Sequence, residues 1–271
     1  GVYYAILKRG GKQIKRSLKT SDKALAKRRL ADISERASAL LSGGDSSITF
    51  DDLGKRWLRA VSPQMKPSSF RRQEVIVRNL SKRFGPTQVR RITKTMTEEW
   101  AADRSKQIAA RTFNYDRETL VRVLDHAVRD GLILDNPALV IKRRKSTSKK
   151  FDIPTRDQFA KLLDALRDLR ADAQSAVELC ELLAYSGCRL GEATAIEWAH
   201  IDFKEKRFTV TGGETGTKNH EVRVVPLFPA LESLLLRLQA DLPIRPESTD
   251  RITKIASAKT AMGNACRNAK L

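Results

Sequence analysis

Over most of the chain, apolar positions recur at intervals of three and four residues. That spacing lines one face of an α-helix. Two stretches break the rule. In Val2–Lys19, apolar and basic residues flank Gly10-Gly11, which predicts two strands about a tight turn. In Arg207–Leu227, β-formers cluster at Arg207–Thr211 and Glu221–Val225 around a Gly- and Asn-rich centre, which predicts a β-hairpin. Thr20-Ser21-Asp22 offers an N-cap for a helix from Lys23 to about Leu41.

Four helices are then predicted. The first starts at Thr49–Asp52, with Phe50, Leu53, Trp57 and Leu58 on one face. The second follows Lys66–Ser69, with Val75, Val77, Leu80 and Phe84 as its apolar positions. The third is capped at Thr95–Thr97 around Trp100. The fourth runs from Thr112 to Asp130 and stops at Gly131. Further on, Thr155 caps a helix to about Arg170 and an apolar helix runs from Ala173 to Ser186. A short helix begins near Glu192 or Ala193, with Ala199–Lys204 at its end. The last two are Pro229–Leu238 and Lys254–Ala269. The fold class is mainly α with small β elements (α+β).

The pattern divides the chain into residues 1–44, 46–145 and 151–271. Ser42–Ser47 and Lys142–Lys150 are the connecting segments. The second connector, Lys142-Arg143-Arg144-Lys145 through Lys150, holds six basic residues and no acid. It reads as a flexible strap.

Charge narrows the partner. The chain has 52 Lys+Arg against 32 Asp+Glu, a net charge of +20. An excess of this size neutralises phosphates and makes binding salt-dependent, which suits DNA and RNA alike. The longest apolar runs fall far short of a membrane span. The basic, strand-like N-terminus has no signal-peptide core. Cys180, Cys188 and Cys266 have no paired metal-ligand spacing, and Cys180 and Cys188 read as reduced and partly buried. A cytoplasmic setting follows most simply.

The candidate chemistry lies in Leu182–Trp198. An apolar helix reaches Gly187, which can take the left-handed turn that ends helices. Arg189 then stands at a corner between two helices, with Glu192 three residues on. A guanidinium fixed there presents a fork of donors suited to phosphate. This corner resembles the first catalytic arginine motif of the tyrosine recombinases, the phage-integrase family of DNA strand-transfer enzymes. Thr217-Lys218 ahead of Val222-Arg-Val-Val-Pro-Leu227 is similar to the family's hairpin lysine. Ala127–Ala138, with Asn136-Pro137, resembles the end of its core-binding domain.

The resemblance implies an arm-type DNA-binding domain at 1–44, a helical (SAM-like) core-binding domain at 46–145 and an integrase catalytic domain at 151–271. Its implied chemistry is strand cleavage through a 3′-phosphotyrosine bond, with no metal or other cofactor. Arg189 would stabilise the transition state, Glu192 would orient it, and Lys218 would protonate the leaving 5′-oxygen. Double-stranded attachment-site DNA would be the partner. Its candidate contacts are Arg71, Arg72, Arg78, Arg111, Lys142, Arg143, Arg144, Lys145, Lys8 and Lys12. A homotetramer on DNA is expected of the full-length protein, and a monomer of a fragment.

The sequence departs from the family in one respect. No His-x-x-Arg motif follows the predicted helix Lys254–Ala269, and Tyr3, Tyr4, Tyr115 and Tyr185 all lie before or inside the arginine motif. This chain is therefore expected to bind DNA without cleaving it. Two other readings stay open: a non-catalytic DNA-binding regulator built from integrase parts, and a basic RNA-associated protein.

Overall fold

A computed structural model describes the chain except residues 10–11, 43–46, 148–150, 170–172, 212–221 and 245; the side chains of 7–9, 12–14, 16 and 36–42 also lie outside the description. The Gly10-Gly11 turn and most of the Ser42–Ser47 connector fall in those gaps. The chain separates into two compact units, Gly1–Lys149 and Lys150–Leu271.

The first unit opens with strands β1 (Tyr4–Arg9) and β2 (Lys12–Ser17), paired antiparallel from Tyr4↔Ser17 to Arg9↔Lys12. Helix α1 (Lys23–Ser42) covers them, Ala26 packing on Ala5 and Leu18. The Arg29 guanidinium donates to the Leu18 carbonyl at 2.6 Å. The larger part is a cluster of four helices: α2 (Phe50–Val61), α3 (Pro67–Phe84), α4 (Lys94–Gln107) and α5 (Ala110–Arg129). A reciprocal cap starts α2, with the Thr49 hydroxyl accepting from the Asp52 N–H and the Asp52 carboxylate accepting from the Thr49 N–H. An aromatic chain runs through the core. Phe50, Phe84, Trp100 and Phe113 lie at successive centroid distances of 5.6, 6.1 and 5.9 Å. Helices α2 and α3 approach so closely at Gly54 that a Cβ there would meet Val77 at 2.9 Å.

Three local expectations are corrected here. Val75 is 51% exposed, while Ile76 and Val77 are buried, so the inward stripe of α3 is Ile76, Val77, Leu80 and Phe84. Helix α4 is capped by Thr93, whose side chain accepts from the Met96 N–H. Thr97 is instead buried, its hydroxyl donating to the carbonyls of Lys94 and Pro137.

The third correction concerns the strap after α5. It leaves the helices later than a flexible linker from Lys142 would. Asn114 grips the backbone of Arg144 from both sides, donating to its carbonyl and accepting from its N–H, each at 2.9 Å. The Arg144 guanidinium donates to the carbonyls of Ser105 and Ile108 at 2.7 and 3.2 Å and lies over the Phe113 ring. Ser105 is in the last turn of α4 and Ile108 is its C-cap, where helix carbonyls have no partners within the helix.

In the second unit, α6 (Arg156–Arg167) opens with a Thr155–Gln158 capping box. Next come α7 (Gln174–Ser186) and the single turn α8 (Leu190–Ala193). A three-stranded antiparallel sheet follows, ordered β3 (Ile201–Asp202), β4 (Arg207–Val210), β5 (Arg223–Pro226). It pairs Ile201 with Phe208 and Val210 with Arg223. Helices α9 (Pro229–Ala240) and α10 (Lys259–Asn268) complete the unit.

Helix α7 serves two cores. Leu179 and Cys180 pack toward α6 and α10, and Leu182 packs toward the sheet and α9. Buried Glu181 accepts a hydrogen bond from Arg237 of α9, which ties the two helices. The segment expected to end a helix at Ala199–Lys204 forms a 3-10 turn (Trp198–His200) and then β3. His200 caps that turn, its Nδ1 accepting from the Glu197 N–H at 3.0 Å. Residues 254–258 are irregular, and the last helix begins only at Lys259.

Candidate active site and nucleic-acid interface

The arginine corner is built by the end of one helix and the start of the next. Helix α7 closes on Gly187 at φ 63°, a left-handed conformation that costs a residue with a Cβ about 1 kcal/mol or more. The turn buries Cys188, whose N–H donates to the Ser186 hydroxyl. Arg189 comes next in extended conformation as the N-cap of α8, and Glu192 occupies the third position of that helix.

Glu192 is the centre of the site. Its side chain is only 5% exposed, whereas that of Arg189 is 59% exposed. The carboxylate accepts from the Arg189 backbone N–H at 2.9 Å and from its guanidinium at 2.8 Å. It also accepts two bonds from Arg223 of β5, at 3.2 and 2.7 Å, one to each oxygen. Hydrogen bonds from Arg223 first, and then from Arg189, pull the Glu192 carboxyl down to about 2, against the opposing effect of burial. Glu192 is therefore an ionised, fully bonded carboxylate that cannot act as a proton carrier near neutrality. Burial pushes the neighbouring Cys188 thiol up, although Arg223 opposes this. Arg189 keeps an exposed edge from which to donate, and that edge can hold an anion.

Arg223 was not singled out by the sequence reading, but a signal was present. Along β5 the expected polarity is inverted: Val222 and Val224 are 65% and 60% exposed, while Arg223 and Val225 turn inward. An arginine on the inward side of a strand needs a buried acid. Lys218, and with it His220, lies outside the described residues.

The remaining candidate contacts fall on separate surfaces. Arg71, Arg72 and Arg78 lie along the exposed side of α3, with Val75 among them. Arg111 is on the first turn of α5. There the guanidinium of Arg111 hydrogen-bonds the Tyr115 hydroxyl and holds its pKa below the usual phenol value, and Arg72 lies 5.4 Å from the centre of the ring. Arg72 and Tyr115 share a cleft of about 150 Å³ with Ser69, Gln73 and Thr119. Tyr115 is a second residue the sequence reading did not assign to this surface. Lys142, Arg143 and Lys145 are exposed. Lys8 and Lys12 sit on β1 and β2, with side chains outside the description. Arg144 is the exception, spent on the end of α4 as described above.

Cys180 and Cys188 are free and buried, and burial takes the Cys180 thiol up to about 11. Tyr185 packs edge-on against Phe159. Among the described residues, no group of three or more His, Cys, Asp or Glu could hold a metal ion. Among them too, no helix is long and apolar enough to cross a membrane.

These features can be set beside known proteins. Residues 154–249, which include the arginine corner and β5, match the phage integrase family. The chain is 25% identical over 214 residues to the putative defective protein IntQ of Escherichia coli (strain K12), covering 69% of this chain and 52% of that protein. It is 27% identical over 231 residues to tyrosine recombinase XerC of Bifidobacterium longum (strain DJO10A), covering 80% of this chain and 62% of that protein. This chain thus spans only part of the length of these relatives.

Among solved structures, the fold is similar to that of a lambda integrase tetramer bound to a Holliday junction. The TM-score is 0.71 at 15% identity, over 100% of this chain and 84% of that one. It is also similar to the Tn1549 transposon integrase in complex with circular intermediate DNA. There the TM-score is 0.59 at 19% identity, over 75% and 69% of the respective chains. Residues 154–249 are thus similar to the phage integrase family, and the fold resembles that of solved integrases.

Proposed function

We propose that this chain is the DNA-binding and phosphate-activating part of a site-specific recombinase, one that cuts and rejoins DNA through a 3′-phosphotyrosine intermediate. One observation carries the reading. Inside the family-matched region, an arginine with an exposed edge is fixed at a helix corner by a buried carboxylate.

The chemistry fits that geometry. A tyrosine oxygen attacks the phosphorus and the 5′-oxygen leaves. Charge grows on the non-bridging oxygens, where a preorganised guanidinium is worth about 10²–10³ in rate. Arg189 supplies it, and Glu192 orients Arg189. Lys218 protonates the leaving oxygen as general acid. Reverse attack by a 5′-hydroxyl restores the phosphodiester, so the bond energy is kept in the covalent intermediate.

The DNA-binding part is the first unit. Its exposed cations Arg71, Arg72 and Arg78 on α3, with Arg111 on α5, would neutralise phosphates along one surface, and β1–β2 would meet DNA as a two-stranded ribbon. The domain scheme that supports this is 1–44 arm-type, 46–145 core-binding and 151–271 catalytic. A tetramer on two DNA sites would exchange strands in sequence. The lambda and Tn1549 neighbours, which are described as integrases bound to DNA, support DNA as the partner.

The test has two stages. Duplexes retained by this chain are first selected from a random pool. SDS-resistant adducts on the selected DNA are then measured for a full-length protein that carries the tyrosine. The 271 residues alone are expected to bind and give no adduct. In the full-length protein, Arg189→Ala should lose the adduct and keep most affinity. Adduct surviving in Arg189→Ala would overturn the role given to Arg189. A full-length protein that binds tightly without any adduct would establish the non-catalytic regulator instead. For Lys218→Ala, a substrate whose 5′ leaving group is a thiolate should cleave normally, because a thiolate needs no proton.

A further inference from the structure

We infer that Arg223 is a positioning residue for the recombination chemistry: it holds Glu192 in place and offsets its charge, so that Arg189 meets DNA as an unneutralised cation. This rests on the recombinase reading above, but its support is separate and geometric.

Glu192 is buried, and each of its oxygens accepts one bond from each arginine. A carboxylate gripped on both oxygens by a planar fork cannot rotate, and a single lysine charge cannot reproduce that grip. The orientation reaches Arg189 directly, because the same two oxygens receive its guanidinium and its backbone N–H. Arg223 therefore fixes the corner through an acid that need never touch DNA.

The charge count points the same way. Arg189 and Glu192 alone sum to zero, and a phosphate brought to that pair would also meet a carboxylate close behind the guanidinium. Arg223 restores the sum to +1. The repulsion it removes is larger in a partly buried site than it would be in water. Arg223 also spans the fold: it is the first residue of β5, paired with Val210 of β4, and it reaches back to the helix corner. Through it, the strand returning from the hairpin is tied to the site where phosphate would bind.

The experiment measures single-turnover cleavage and DNA affinity in the full-length protein for Arg223→Gln, Arg223→Lys, Glu192→Gln and the double variant Glu192→Gln/Arg223→Gln. Arg223→Gln should cut the cleavage rate about 10²-fold, the scale of an ångström-level misplacement of a catalytic group. Affinity should stay within about threefold. Arg223→Lys should recover part of the rate.

Two readouts separate positioning from a merely structural role. With Glu192 already neutral, adding Arg223→Gln should cost far less than it does alone, since both changes act through one carboxylate. The deficit should also narrow on a substrate in which a methyl group replaces one non-bridging oxygen, because that removes the charge Arg189 stabilises. The double variant leaves no lone buried charge, so it keeps the test alive if Arg223→Gln misfolds. Wild-type cleavage by Arg223→Gln would overturn the inference. So would losses that add in the double variant, or an affinity loss equal to the rate loss, which would make Arg223 a DNA contact. Absence of any adduct from the wild-type full-length protein would sink the recombinase reading instead.

Discussion

Replacing Arg144 by alanine should lower the stability of the first unit while leaving the electrostatics of DNA binding almost unchanged. The guanidinium donates to two carbonyls at the end of α4 and lies over Phe113. Two charge-assisted bonds are worth about 1 kcal/mol each once the exposure of this arginine is allowed for. The ring contact adds about 0.5 kcal/mol at an exposed site. The sum, about 2.5 kcal/mol, corresponds to a drop of roughly 5–10 °C in the melting of a unit of this size. The two bonds from Asn114 to the Arg144 backbone survive the substitution, so the strap should stay docked and the loss should go no further.

Calorimetry gives the first quantity, and the dependence of DNA affinity on salt gives the second. Each phosphate contact contributes about 0.9 to the slope of log affinity against log salt. Arg144→Ala should leave that slope unchanged. Lys142→Ala, Arg143→Ala and Lys145→Ala, at exposed positions beside it, should each lower the slope by up to about 0.9. They should move the melting temperature very little. An Arg144→Ala variant with an unchanged melting temperature and a slope reduced by one contact would refute the capping role and return Arg144 to the list of phosphate contacts.

Two further outcomes are expected. Phe84 is fully buried between Phe50 and Trp100, so Phe84→Ala should destabilise the first unit by about 3–5 kcal/mol, seen as an early calorimetric transition; a shift under about 1 kcal/mol would deny that the aromatic chain is its core. Glu192 has a folded pKa of about 2 against an ordinary 4.5. A depressed acid adds stability above 4.5 that is lost as pH falls toward 2, at up to about 1.4 kcal/mol per pH unit. Hydrogen exchange of α7 amides between pH 5 and 2.5 should show that loss in the wild type and not in Glu192→Gln, and equal slopes would contradict the assignment.

What was legible in the sequence was whatever a periodic pattern or a special residue encodes locally. Gly187 ends α7 because only a left-handed residue turns the chain there, and that much could be read from its place after an apolar run. The helices around Phe50, Leu80, Trp100 and Leu120 followed from spacing. The stripe of α3 was misread by one position because Val75 and Ile76 are adjacent and equally apolar. Only contact with α2 and α5 decides between them. The strand β3 was missed because two residues in a strand carry no alternation. At the site, Arg189 and Glu192 share one turn and were readable as a pair. Their third partner is 31 residues away from Glu192 along the chain, and nothing local announces it except an arginine among valines.

If the chain is part of a recombinase, charge would serve two ends in it, and the two are arranged differently. DNA affinity would rest on exposed cations of α3, α5 and the basic strap, each screened by salt beyond about a Debye length of 8–10 Å. The arginine corner inverts that design. Its one acid is buried and receives four hydrogen bonds from two arginines, which places the geometry of Arg189 beyond the reach of ionic strength. A net charge of +20 could draw DNA to many orientations of this surface. Only a guanidinium whose direction is fixed before DNA arrives can favour the transition state over the bound duplex, because catalysis requires interactions stronger in the transition state than in the ground state. The loose cations and the fixed arginine corner would therefore be complementary, and a substitution in either group should be recognisable by which of affinity or rate it changes.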